Sequence, residues 1–141
     1  MSSANLDLVR SIVAPWERGD FSSVEWAHPE HEYVIVGGPS PGCWRGLPAM
    51  AVAWREFLSA WDEWRTLAEE YRELDDARVL VLIRSSGRGK ASGMEIGQPW
   101  TKGAVLFHVR DGKVTKHVVY LERGTALADL GVAPEEQRDP R

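Results

Sequence analysis

The pair Asp111-Gly112 constrains the fold most, because it lies between two segments in which apolar and polar residues alternate. Such a pair is typical of a two-residue hairpin, whose favoured turn needs a positive φ at both central positions. A turn this short leaves little freedom for slippage, so it fixes the register of the strand that follows. In that strand His117, Val119 and Leu121 share one face. The sequence therefore predicts an antiparallel hairpin that carries one histidine on an otherwise apolar face.

Helical patterns precede the hairpin and extended patterns surround it, which is typical of an α+β domain. The predicted helices run from about Leu6 to Trp16, from Asp20 to about Ala27, from Pro48 to Trp61, and from Thr125 to Gly131. The predicted strands are Tyr33–Val36, Arg78–Arg84, 90–96, 100–110 and 113–122. The segment from Trp64 to Leu74 is ambiguous, since its apolar residues are spaced as in a helix. The charged segment 133–141, with two prolines, is expected to be a disordered tail after a single domain over residues 1–132.

Composition excludes several functional classes. The chain has 141 residues and a formal charge of −4, with scattered basic residues, so we expect no nucleic-acid partner. A single cysteine allows no internal disulfide and no cysteine-based metal site, and no other metal-ligand set or phosphate loop is apparent. We therefore expect no metal and no cofactor. No signal peptide and no membrane-spanning run is recognisable, which predicts a cytoplasmic protein without a membrane partner.

Tryptophan is unusually abundant, with seven residues against three phenylalanines and three tyrosines. Large flat side chains in this proportion favour a roomy core or an aromatic cavity. The residues predicted to line such a cavity and bind a substrate are Tyr33, Trp54, Phe57, Trp100, Val119 and Leu121.

The ordered set of short motifs resembles SnoaL-like proteins of the nuclear transport factor 2-like superfamily, from about Leu6 to Val132. The set comprises Gly19-Asp20, Gly37-Gly38-Pro39, Trp44-Arg45-Gly46, Asp111-Gly112-Lys113-Val114 and Leu130-Gly131. The resemblance implies a cone-shaped, curved, mostly antiparallel mixed sheet with three N-terminal helices packed on its concave face. It also implies that Trp64–Leu74 is a strand, and that two copies of the chain form a homodimer. Leu106, Val118 and Tyr120 on the outer face would then need cover from the second copy.

The resemblance also shows which chemistry is missing. In the related steroid isomerases, the general-base aspartate falls on Val36 of this sequence, the buried proton-donating aspartate near Val105, and the oxyanion-hole tyrosine near Ile12. All three positions are apolar here. Steroid-isomerase catalysis by that set of residues is therefore not expected.

Three residues remain as catalytic candidates. His117 is the only ionisable residue of the three that share its face at the centre and end of the last strand, His117, Val119 and Leu121, and histidine serves readily as a base near neutral pH. Glu122 ends the same strand, close to where similar cyclases keep an acidic base. Glu95 lies within a predicted strand and can face either side. Of the other histidines, His31 is expected to be exposed because it precedes the strand predicted at Tyr33.

These observations favour a small cofactor-free enzyme that performs proton-transfer chemistry on an apolar, ring-containing molecule. Isomerisation, dehydration, cyclisation and epoxide opening all fit this description. Two alternatives remain open: a non-catalytic binder of a small apolar ligand, and a dimeric interaction module whose cavity is vestigial.

Overall fold

A computed structural model of the chain describes residues 4–21, 25–37, 42–59, 61–89 and 101–131. The elements follow one another as α1 (Ala4–Glu17), β1 (Ala27–Val36), β2 (Gly42–Arg45), α2 (Leu47–Ser59), β3 (Trp61–Glu73), β4 (Arg78–Gly89), β5 (Thr101–Arg110), β6 (Lys113–Tyr120) and α3 (Arg123–Leu130). This succession confirms the predicted α+β class. The tail expected at 133–141 lies outside the described residues.

The strands form one curved, unclosed sheet in the order β2-β1-β6-β5-β4-β3. Only β1 and β6 run parallel, and the other neighbours are antiparallel, so the sheet is mixed as predicted. The hairpin between β5 and β6 turns at Asp111 and Gly112, both with positive φ. Its register pairs His117 with Phe107 and, across the parallel ladder, with Tyr33. The central strand β6 therefore presents His117 in the middle of the sheet.

The ambiguous segment near Trp64 is strand β3, in agreement with the family resemblance and against its helical spacing. It pairs with β4 along its length, and the register shifts once between Asp62 and Arg65 and again between Ala68 and Glu70. Local spacing is a weak signal that a long strand partner overrides. The second shift leaves Glu69 outside the regular ladder.

The short helix predicted from Asp20 to Ala27 does not appear in the described residues of that segment. Asp20 is not helical, Glu25 and Trp26 lie in a turn, and Ala27 already begins β1. Of the three helices that the described ranges contain, α1 and α2 lie in the N-terminal half, and α3 follows the sheet. Pro29 occurs inside β1, where the ladder with β6 is interrupted between Ala27 and Glu32, so its missing N–H breaks no pairing there.

The two faces of the sheet carry separate apolar clusters. The larger cluster joins α1 and α2 to one face of the sheet, which we call the cavity face, through the side chains of Val9, Val13, Trp16, Met50, Trp54, Val79, Val81, Val105 and Phe107. The smaller cluster joins α3 to the opposite face, through Ala126, Leu80, Leu82, Leu106, Val118 and Tyr120. Alternation along each strand supplies both faces.

The smaller cluster removes the physical reason given above for a homodimer. Leu106, Val118 and Tyr120 are at most 6% exposed within a single chain, and α3 packs against the cluster that they form. The outer face therefore does not need a second copy at these positions. The homodimer stays a prediction that rests on the family resemblance alone.

Candidate functional site

A cavity of about 260 Å³ lies between α1, α2 and the cavity face of the sheet. Its walls include seven residues that the sequence analysis selected: Tyr33, Trp54, Phe57, His117, Val119, Leu121 and Glu122. The remaining two selected residues, Glu95 and Trp100, lie outside the described residues. The lining also includes residues that were not selected, namely Trp16, Phe21, Ile35, Leu58, Trp64, Thr66, Ile83, Ser85, Gly103, Val105 and Tyr120.

His117 lies in the cavity wall with only 1% of its surface exposed. Its ring stacks on Tyr33 of β1 and on Phe107 of β5, with ring centroids 4.7 Å and 5.8 Å away. Trp26 meets it edge-on at 5.5 Å, and the Trp54 ring lies at 6.1 Å. The imidazole is therefore enclosed by aromatic rings that fix its orientation.

A second histidine completes this site. Nε2 of His31 lies 2.8 Å from Nδ1 of His117, within hydrogen-bond distance, and His31 is fully buried. The expectation that His31 is exposed is therefore wrong. The strand begins at Ala27 rather than at Tyr33, so alternation places His31, Tyr33 and Ile35 on one buried face. Reading the strand back through His28-Pro29 would have revealed this residue.

Burial keeps both rings of the His31–His117 pair neutral near pH 7. Removal from water lowers the pKa of His31 to about 4, although the charge of Glu32 opposes this shift. Removal from water, and secondly the proximity of His31, lowers the pKa of His117 well below its ordinary value of 6.5. A neutral pair can share one hydrogen bond between its rings, with one nitrogen donating and the other accepting.

Each histidine of the pair has a second ring nitrogen outside their mutual bond. Nδ1 of His31 is buried and has no hydrogen-bond partner in the described part of the chain. On the other side, Nδ1 of His117 is bonded to His31, so Nε2 is the His117 nitrogen that is left for a ligand in the cavity. When His31 donates within the pair, Nε2 of His117 carries a proton; when His117 donates, Nε2 offers a lone pair.

Tyr33 adds a neutral phenol to the same wall. It is 4% exposed, and burial raises its pKa well above the ordinary value of 10. The phenol therefore stays protonated at any physiological pH and can take part in a hydrogen bond without becoming charged.

Two buried hydroxyls lie farther along the sheet. Thr66 on β3 and Ser85 on β4 are register partners, and their side-chain oxygens are 3.3 Å apart. Both residues line the cavity, with 4% and 8% of their surface exposed. Neither residue was predicted, because the predicted strand ended at Arg84, before Ser85, and Thr66 lies in the segment whose spacing was ambiguous.

Glu122 lies at the rim of the cavity and is exposed. It precedes α3 with an extended backbone, and its side chain does not cap the helix. His117 comes five residues earlier, so a straight strand would separate the two by roughly 16 Å. The strand ends at Tyr120, however, and Leu121 and Glu122 form a bend, so Glu122 stays a candidate that lines the same cavity as His117.

Arg123, buried at the start of α3, anchors the rim to three strands. It donates hydrogen bonds to the carbonyl oxygens of Gly103 and Ile83, at 3.2 Å and 2.7 Å, and to Oε1 of Glu69 at 2.5 Å. Gly103 is also closely packed, since a Cβ there would lie 2.6 Å from the backbone oxygen of Tyr120. This end of the cavity is therefore held by charge-assisted bonds and tight backbone packing.

Among the described residues, no group of three or more histidine, cysteine, aspartate or glutamate side chains is placed to hold a metal ion. In the same part of the chain, no helix is both long and apolar enough to cross a membrane.

Solved structures of the same fold are numerous, but their sequences have diverged widely. A nuclear transport factor 2-like protein of unknown function from Burkholderia pseudomallei aligns with 90% of this chain and 97% of its own, at 17% identity and a TM-score of 0.74. TerC, which was co-crystallised with polyporic acid, aligns with 91% of this chain and 98% of its own, at 18% identity and a TM-score of 0.70. A Mesorhizobium loti protein provisionally named a SnoaL-like polyketide cyclase aligns with 85% and 99%, at 12% identity and a TM-score of 0.67.

At these identities the solved structures establish the fold alone. No curated protein sequence matches the chain. Residues 9–117 match the SnoaL-like domain, which is more than half of the sequence. The chain therefore belongs to the SnoaL-like domain family.

Proposed function

We propose that this protein binds a small, apolar, ring-containing molecule in its cavity and catalyses a proton transfer at Nε2 of His117. The observation that carries the proposal is the buried pair in which His31 holds Nδ1 of His117 at 2.8 Å, while the ring of His117 lines an apolar cavity. A fixed ring with one nitrogen left for a ligand is a suitable arrangement for general acid–base chemistry. The crystallisation of TerC with polyporic acid supports a small organic ligand for this fold.

The proton can move in a simple way. With the His117 Nδ1–H donated to His31, the bare Nε2 takes a proton from a C–H bond next to a ligand carbonyl, and the bonding electrons form an enolate. The imidazolium and the enolate then lie side by side, so their attraction offsets the cost of charging a buried ring. Return of the proton to another ligand atom completes an isomerisation, and the same first step serves a cyclisation or a dehydration.

Hydrogen–deuterium exchange tests this step without knowledge of the natural substrate. We expect the protein to accelerate exchange of the acidic CH₂ protons of 2-tetralone in D₂O, followed by NMR. His117→Gln should abolish the acceleration while retaining binding, measured by quenching of the cavity tryptophans. His28→Gln is the matched control, because His28 is a half-buried histidine that does not line the cavity. Equal exchange by the His117→Gln variant and the native protein would refute the proposed role.

A non-catalytic binder is the second candidate, and the low pKa of both histidines favours it. A ring that resists protonation is a weak base but a good neutral hydrogen-bond partner for a ligand in an apolar cavity. Tight binding of 2-tetralone with no acceleration of exchange would support the binder over the enzyme.

The proposed partners are thus a small apolar molecule and, from the family resemblance, a second copy of the chain. Light scattering tests the second: a homodimer should have twice the chain mass of 15.8 kDa. A monomer at tens of micromolar protein would contradict it.

A further inference from the structure

Within the described residues, the hydroxyl pair of Thr66 and Ser85 has hydrogen-bonding capacity beyond its mutual bond. Two hydroxyls supply two donors and four lone pairs, and their mutual bond consumes one of each. That bond, at 3.3 Å, is also longer than the 2.5–3.0 Å typical of O–H···O contacts. One donor and three lone pairs therefore remain at a buried position.

The surroundings make these unused groups costly. Trp64, Phe57 and Ile83 line the same cavity, and the two hydroxyls are nearly inaccessible to solvent. Each hydroxyl bonds the other, but the remaining donor and lone pairs lose their hydrogen bonds to water on burial, whereas apolar side chains of the same shape would lose none. A hydroxyl pair at this place is therefore explained most directly by a ligand that completes its hydrogen bonds.

The sheet register separates this pair from the histidines. Val79 of β4 lies in one row with Phe107 and His117, and Ser85 comes six residues after Val79. On a straight strand the Cα atoms of these two residues would be roughly 20 Å apart. The curvature of the sheet and the inward direction of the side chains make the distance between the polar groups shorter. The rows between them on the cavity face carry Val81, Ile83 and their apolar neighbours on β5 and β6. The cavity is thus polar at two ends and apolar between them.

We propose that Thr66 and Ser85 form a second polar subsite, which binds a hydroxyl or carbonyl group at one end of an elongated, apolar ligand whose other end contacts His117. This inference rests on the proposed function and specifies its substrate class. A phenol or alcohol fits best, because its oxygen both donates and accepts and so can use the remaining donor and lone pairs together.

A series of three biphenyls tests the subsite: biphenyl, 4-hydroxybiphenyl and 4,4′-dihydroxybiphenyl. The affinity of each is measured by tryptophan quenching and by calorimetry. We expect the second hydroxyl to raise the affinity by about three- to tenfold in the native protein, the value of one additional hydrogen bond. In Thr66→Val/Ser85→Ala this gain should vanish, while biphenyl itself binds as before. In His117→Gln, 4-hydroxybiphenyl should still bind more tightly than biphenyl, because the subsite that accepts its hydroxyl is intact.

Each outcome decides a separate claim. If the double variant keeps the full gain from the second hydroxyl, the subsite is refuted and the proposed function is untouched. If none of the three compounds binds the native protein, the proposed function and the subsite both fail. A measurement on the native protein covers the case of a variant that does not fold: bound 4,4′-dihydroxybiphenyl should give an NMR cross-relaxation signal to the Thr66 methyl group, and its absence would refute the subsite.

Discussion

Replacing His117 should change how the stability of this protein depends on pH. The folded state holds the ring neutral because burial and His31 lower its pKa, whereas in the unfolded chain the ring titrates near 6.5. As the pH falls below 6.5, the unfolded state takes up a proton that the folded state does not. The free energy of unfolding therefore falls with the pH in this range and is fully recovered above it.

The magnitude follows from the span of pH. A ring that stays neutral in the folded state and titrates in the unfolded state costs about 1.4 kcal/mol of stability for each pH unit below 6.5. Between pH 6.5 and pH 5 this amounts to about 2 kcal/mol from His117. His31, with its pKa of about 4, contributes a similar loss over the same range. The native protein should thus lose about 3 kcal/mol from the pair, a large part of the 5–15 kcal/mol typical of a domain.

Urea denaturation from pH 5 to pH 8 measures this directly. The His117→Gln variant should lose about 2 kcal/mol less than the native protein between pH 6.5 and pH 5. Parallel curves for the native protein and His117→Gln would refute the conclusion that His117 is held neutral by burial.

Three further substitutions test the walls of the cavity through the free energy of unfolding, measured with denaturant. Trp54→Ala should lower the free energy of unfolding by less than the about 3–5 kcal/mol lost when a fully packed aromatic residue is replaced, because part of this ring borders the cavity. A loss at the top of that range would argue against a cavity there. Arg123→Gln should cost about 1–3 kcal/mol, because it removes charge-assisted bonds to two carbonyl groups and to Glu69, which keeps Arg84 as its ion-pair partner; an unchanged stability would contradict the anchoring role. Gly103→Ala should lower the free energy of unfolding by about 1–3 kcal/mol, since the added Cβ meets the Tyr120 carbonyl oxygen. An unchanged free energy of unfolding would show that the backbone can move to make room for it.

The fold could be predicted largely from short-range signals and from the order of its motifs. Asp111-Gly112 determined the register of β6, and with it the face that carries His117, because turn geometry is local. The segment around Trp64 could not be assigned from its own residues, since its helical spacing is overridden by pairing with β4. The extent of β1 was missed for a related reason: Pro29 is a helix and strand breaker by itself and is tolerated only where the ladder is interrupted.

The site was only partly predictable, because its parts come from strands that are distant in the sequence. Alternation within one strand was sufficient to select His117, Val119 and Leu121. The partner of His117 is His31 of β1. The two meet only through the parallel pairing of β1 with β6, which no pattern within one strand predicts. The hydroxyls of Thr66 and Ser85 gave no signal either, since a serine or threonine in a strand is ordinary until its neighbours are known.

The parallel ladder between β1 and β6 also has a consequence for how the protein folds. Hairpins and helices form early, because their contacts are close in sequence, but His31 and His117 are 86 residues apart and meet only when β1 docks beside the last strand. Closing so long a loop costs chain entropy before the aromatic contacts around His117 compensate for it. An intermediate with strands β3 to β6 already paired would therefore expose the His117 ring to water. The competence to bind a ligand should accordingly appear in the slowest folding phase, after most of the sheet has formed.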